Sequence, residues 1–239
     1  MDTSYVLLWF EAPLQSWGAD SKFYRRNTMA FPTKSGVLGL VLCGMGATGP
    51  QRYFLQNFVD LKQDVYSFKK KSLKHQQIPL LEDFQMVGAG YNTDSPWESM
   101  LIPKTSEGKK SVGGGSKLSY KYYLQNAYFA VILEIPKDLT VTIERALTIP
   151  YYDIYLGRKN CIPTDFVFRG IYHKENAAKE KAFEIAESKE LFNDFYVLDG
   201  KHDGKLMSIK DVPVQFGPVK QYVDRQVTVI KPEEIATEE

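Results

Sequence analysis

The stretch PTKSGVLGLVLCGMG, residues 32–46, decides how the rest of the chain is read. Its glycines admit either a nucleotide-binding turn or a helix packed closely on a sheet. A phosphate-binding loop needs G-x-x-x-x-G-K-[ST], and here Lys34-Ser35 is preceded by Thr33 and Thr28 where both glycines belong. Gly44, Gly46 and Gly49 spell a literal GxGxxG, but a dinucleotide fold calls for an acidic residue at the end of the following strand. That strand finishes in Lys69-Lys70-Lys71. A glycine-rich helix is left, with Val37, Leu38, Leu40 and Val41 as its apolar positions and Thr33 and Ser35 as N-cap candidates. The start of such a helix presents unpaired N–H groups, Lys34 adds charge, and glycines at 36 and 39 permit close backbone approach to a phosphate.

Outward from this helix, the apolar run YVLLWF at 5–10 has the pattern of a strand buried on both faces. Pro13 and Gly18 punctuate a polar loop that lasts to Pro32, in which Gln15, Ser16 and Trp17 offer an amide for a base edge and an indole for stacking. The bland alternative is a capping loop with Trp17 packed as core. Downstream, 64–68 (DVYSF) and 127–135 (AYFAVILEI) read as strands, 139–147 as a short helix and FVFRGIY as a further strand. The order β-α-β-β-α-β predicts an α+β protein with a ferredoxin-like domain over 1–170, whose antiparallel sheet keeps one face open to a ligand. A smaller C-terminal region, 171–239, is expected to hold a helix over 175–192 and short strands near 195–198, 206–209 and 226–230. The stretch 75–119 is a long insertion rich in Gly, Ser, Pro and Lys. Phe84, Met86, Trp97, Met100, Leu101 and Ile102 within it point to a projecting hairpin that packs on a partner.

Composition narrows the function classes. No apolar run approaches the ~20 residues that cross a bilayer, and the start MDTSYVLLWFEA lacks the features of a signal peptide. Cys43 and Cys161 stand alone, which fits a reducing cytoplasm and no structural zinc. Histidines 75, 173 and 202 sit in polar contexts, and no HExxH or GxSxG spacing appears. No catalytic residue, metal or cofactor is therefore expected. The net charge of +1 gives no global field, so a nucleic-acid surface has to be local. Lys22, Arg25, Arg26 and Lys34 form one basic cluster, and Lys104, Lys109, Lys110, Lys117 and Lys121 another.

The motifs APLQSWG (12–18) and FPTKSGVLGLVLCGMG (31–46) resemble the N-terminal signature of the CasD family, RAMP-superfamily subunits of type I-E CRISPR Cascade. LLEDFQMVGAG (80–90), LSYKYYLQNAYFAV (118–131) and YLGRKNCIP (155–163) fit the same pattern in order. The resemblance implies an RRM-related domain with a thumb hairpin, and a non-catalytic protein that caps the 5′ handle of the CRISPR RNA (crRNA). It implies contacts to a backbone subunit and to the large PAM-recognising subunit, with target DNA engaged only indirectly. By position, Gln15, Trp17, Thr33, Lys34, Ser35 and Gly36 lie in the matching N-terminal motifs, and Arg158 with Lys159 supplies a second basic contact. Arg25 and Arg26 fall in the intervening loop, and Lys104, Lys117 and Tyr120 belong to or flank the thumb. Two other functions stay open. One is a metal-independent endoribonuclease that processes repeat RNA, as in type I-C relatives, with Lys74-His75 and tyrosines as residue types. The other is a purely structural subunit.

Overall fold

The computed structural model describes residues 2–18, 24–74, 76–87, 94–101, 104–109 and 117–232. In chain order the elements are β1 (Thr3–Gln15), β2 (Arg25–Arg26), α1 (Lys34–Gly44), α2 (Arg52–Leu55), β3 (Gln63–Lys70), β4 (Leu81–Val87), α3 (Pro96–Leu101), β5 (Lys117–Pro136), α4 (Thr140–Thr148), β6 (Phe168–Tyr172), α5 (Glu175–Ser188), β7 (Leu191–Asp199), β8 (Lys205–Gln215) and β9 (Gln221–Ile230). The fold is α+β. Its main sheet runs β6-β1-β5-β3-β7-β9-β8, every neighbouring pair antiparallel.

The apolar run in β1 is explained by two cores, one on each face. Val6, Leu8 and Phe10 point into a cluster with Val37, Leu38, Val41, Ile143 and Leu147 from α1 and α4. Leu7 and Trp9 point the other way, against Tyr66, Phe68 and the alanines of α5. The sequence expectation of an open sheet face is thereby corrected. Ala178, Ala182 and Ala186 recur every four residues and are at most 3% exposed, so α5 lays a smooth stripe directly on that face. Each large apolar side chain buried there contributes about 1.5–3 kcal/mol relative to exposure.

α5 ends at Ser188, short of the expected 192. Glu190 takes a left-handed φ of 55°, and Leu191 and Phe192 instead pair with Lys70 and Lys69 as the start of β7. β7, β9 and β8 extend the same sheet, through pairs such as Val65 with Val197 and Tyr196 with Ile230. At the opposite end, residues 117–123 of β5 leave the main sheet. They pair antiparallel with β4 and parallel with β2 to make a three-stranded arm. Asn126 marks the departure: it is left-handed at φ 47°, a conformation that asparagine tolerates better than most residues.

Candidate nucleic-acid interface

At the start of α1 the chain places a polar network where an empty anion site was expected. Thr33 caps the helix by accepting the Gly36 N–H at 3.3 Å. Lys34 turns inward and is 1% exposed, its ammonium donating to the Val59 carbonyl at 3.4 Å and to that of Leu61. Burial first, and the nearby Arg225 charge second, bring its pKa down to about 8. The Lys34 backbone N–H donates to Asp211 Oδ2 at 2.7 Å. Arg225 grips the same carboxylate with Nε to Oδ1 at 2.8 Å and Nη2 to Oδ2 at 3.1 Å. Its Nη1 reaches Asp199 Oδ2 at 2.8 Å and the Gln63 carbonyl at 3.2 Å. The helix end therefore already holds an anion, supplied by β8. The Lys34 side chain thus faces the interior, whereas Thr33 also lines the larger cavity.

Gln15 and Trp17 are also mostly interior, at 0% and 1% exposure, and Trp17 reaches the wall of the smaller cavity. Gln15 Nε2 donates to the Ala127 carbonyl at 2.7 Å and the Phe10 carbonyl at 3.2 Å, and its Oε1 accepts from the Trp17 indole at 3.2 Å. The indole stacks on Phe10 with ring centres 5.1 Å apart. Gly36 lies under the same ring, and a Cβ there would come within 2.9 Å of it. The close approach that the glycine allows is to Trp17.

The structure gathers other predicted residues around an open groove. Arg25 and Arg26 form β2, in register with Tyr120 and Lys121 of the arm. Arg25 donates to the Tyr122 hydroxyl at 3.1 Å, and Tyr120 lies between Tyr24 and Phe84, 5.9 and 5.0 Å between ring centres. Arg158 donates from Nη2 to the Arg26 carbonyl at 2.7 Å and lies 4.7 Å over the Tyr123 ring. Gly157 makes this junction. Its φ is +96° and a Cβ there would fall 1.6 Å from the Ser16 carbonyl, so no other residue fits. Lys159 is exposed beside this turn and Lys104 is exposed on the insertion, away from the groove lining. Lys117 pairs by its backbone with Val87 on the arm. Lys22, His75 and Lys110, with much of 75–119, lie outside the described residues.

Two adjoining cavities make the groove, about 880 and 460 Å³ in volume. Gly18, Asn27, Ser35 and Tyr222 line both. The smaller one carries Arg26, Arg158 and Lys220, and the larger one carries Ser208, Lys210, Asp211 and Asp224. Sequence reasoning missed the β8–β9 contribution, because these residues sit in a hairpin far along the chain from the helix they face. Among the described residues no cluster of three or more His, Cys, Asp or Glu is placed to hold a metal ion, and no helix is long and apolar enough to cross a membrane.

Residues 5–228 match the family described as CRISPR-associated protein (Cas5). The CRISPR system Cascade subunit CasD of Escherichia coli (strain K12) is 28% identical over 172 residues, which cover 70% of each chain. A chain of a CRISPR RNA-guided surveillance complex superposes with a TM-score of 0.70 at 24% identity, over 95% of this chain and 89% of its own. A crystallised Cas protein superposes with a TM-score of 0.53 at 21% identity, covering 95% and 94%. At these identities the two structures speak for the fold.

Proposed function

The chain belongs to the CRISPR-associated Cas5 family, and on that premise we propose that it is a non-catalytic crRNA-binding subunit of a type I-E Cascade surveillance complex. It caps the 5′ handle of the crRNA in the cytoplasm and contacts the backbone and large subunits, with target DNA engaged through them. The strand order β6-β1-β5-β3, all antiparallel, together with α1 and α4 on one face, supports a ferredoxin-like N-terminal half on which the arm is the thumb.

One observation carries the RNA reading. In a protein with a net charge of only +1, the groove beside α1 collects Arg26, Arg158 and Lys220 from three separate segments. Ser35 and Gly36 line its floor. Arg25, Tyr120 and Lys159 flank it, and Lys104 of the insertion and Lys117 at the start of β5 complete the proposed set of RNA contacts. A backbone of phosphates is the ligand such a row fits.

The test is titration of the full chain with repeat-derived RNA over a range of salt. Each phosphate contact on a single strand adds about 0.7 to the slope of log affinity against log salt. Arg26→Ala with Lys220→Ala should therefore flatten the slope by about 1.4. An unchanged slope would reject the groove as the RNA site. Specific cleavage of the same RNA in EDTA would replace this function with the endoribonuclease.

A further inference from the structure

The two cavities differ in charge, and the difference points to a division of labour. Among the described residues, the smaller has three basic side chains and no carboxylate in its lining. The larger has two carboxylates, of which Asp211 is already held by Arg225 and the Lys34 N–H. Asp224 is exposed on β9, and its carboxylate has no hydrogen bond or ion pair among the described residues. Ser208 and Lys210 of β8 are likewise uncommitted on the same wall. Tyr222 stands between the compartments, half-buried, with its ring 6.5 Å from Phe216.

In the larger cavity Lys210 offsets Asp224, so the smaller one, with three cations, is the stronger place for an RNA backbone, and the Asp224 carboxylate suits a base edge that donates. We propose that it is a nucleobase pocket in which Asp224 accepts from an exocyclic amino group, while Arg26, Arg158 and Lys220 hold the adjoining phosphate across Tyr222. Adenine, cytosine and guanine carry such an amino group. Uracil has no amino group, its single N3–H lies between two carbonyl oxygens that repel the carboxylate, and it is disfavoured. The cavity, about 880 Å³, is roomy enough for a base with its ribose. Asp224 is thus a specificity-determining residue. The inference rests on the RNA reading above.

The experiment compares binding of short oligo(A), oligo(C) and oligo(U) to the full chain at low salt, for the natural protein and for Asp224→Asn. The natural protein should favour oligo(A) and oligo(C) over oligo(U) by about tenfold, in the range of one good base contact. Asp224→Asn keeps the shape, removes the charge and supplies a donor for uracil oxygens. It should bring the three within about twofold of one another, with oligo(U) binding as well as before or better. Binding of all three with a preference that Asp224→Asn leaves intact overturns the base pocket alone. Failure of every oligonucleotide to bind overturns the RNA reading and the pocket with it.

Discussion

Replacing Asp211 by alanine should test the central polar network most directly. Asp211 is 4% exposed, and its two oxygens accept three hydrogen bonds, two from Arg225 and one from the Lys34 N–H. Removing one partner of a buried ion pair costs about 3–5 kcal/mol, because the other charge is left without compensation. Arg225 retains Asp199 at 2.8 Å, so the lower part of that range applies, about 3 kcal/mol. Loss of the anion at the start of α1 adds about 0.5–1 kcal/mol. The sum, about 3.5–4 kcal/mol, is a large share of the 5–15 kcal/mol typical of a folded domain. Urea denaturation of the full chain should show the midpoint falling with an unchanged slope. For a chain of this length the melting temperature should drop by roughly 7–16 °C, at about 2–4 °C per kcal/mol. A loss below about 1 kcal/mol would refute the view that this network holds α1 against the β8–β9 hairpin, since surface substitutions cost that little.

Other substitutions separate internal supports from ligand contacts. Lys34 has a folded pKa of about 8 against 10.5 unfolded, so between those values the unfolded chain binds more protons and stability rises with pH. Denaturation across that window should show a rise of about 3 kcal/mol that Lys34→Met abolishes, and identical pH profiles would contradict the buried ammonium. Trp17→Ala should cost about 3–5 kcal/mol in urea denaturation, as for a large core aromatic. Full stability with weakened RNA binding would instead make Trp17 a stacking residue. Gly157→Ala forces a left-handed alanine into the Ser16 carbonyl, and a melting point within about a degree of the natural protein would refute the tight junction described here.

Much of the fold could be read locally. The run at 5–10 reads as a doubly buried strand because apolar residues occupy both faces of its alternation, and both cores are present to receive them. The helix after Thr33 is legible from its cap, and the capping bond to Gly36 forms. The helical stretch that holds the α5 alanines is legible from the sequence. Their effect is not, since covering the second sheet face depends on β7 pairing beside β3. The candidate site was read only in part. Arg26, Ser35, Gly36 and Arg158 meet at the groove, Trp17 and Thr33 reach its wall from mostly buried positions, and Gln15 and Lys34 carry equally polar side chains that point inward.

By itself, the sequence determined the order of the longer strands and helices, the capped glycine-bearing start of α1 and the rejection of nucleotide loops, because propensity, capping and motif spacing act over a few residues. Tertiary structure alone decided what occupies that helix end. Asp211 is 177 positions from Lys34 in the chain, yet its carboxylate lies 2.7 Å from the Lys34 nitrogen. No local pattern records that distance. A helix N-terminus favours an anion from any source, so only the packing of β8 beside α1 determined that the anion is the protein's own, and that the open basic groove lies beside the helix end.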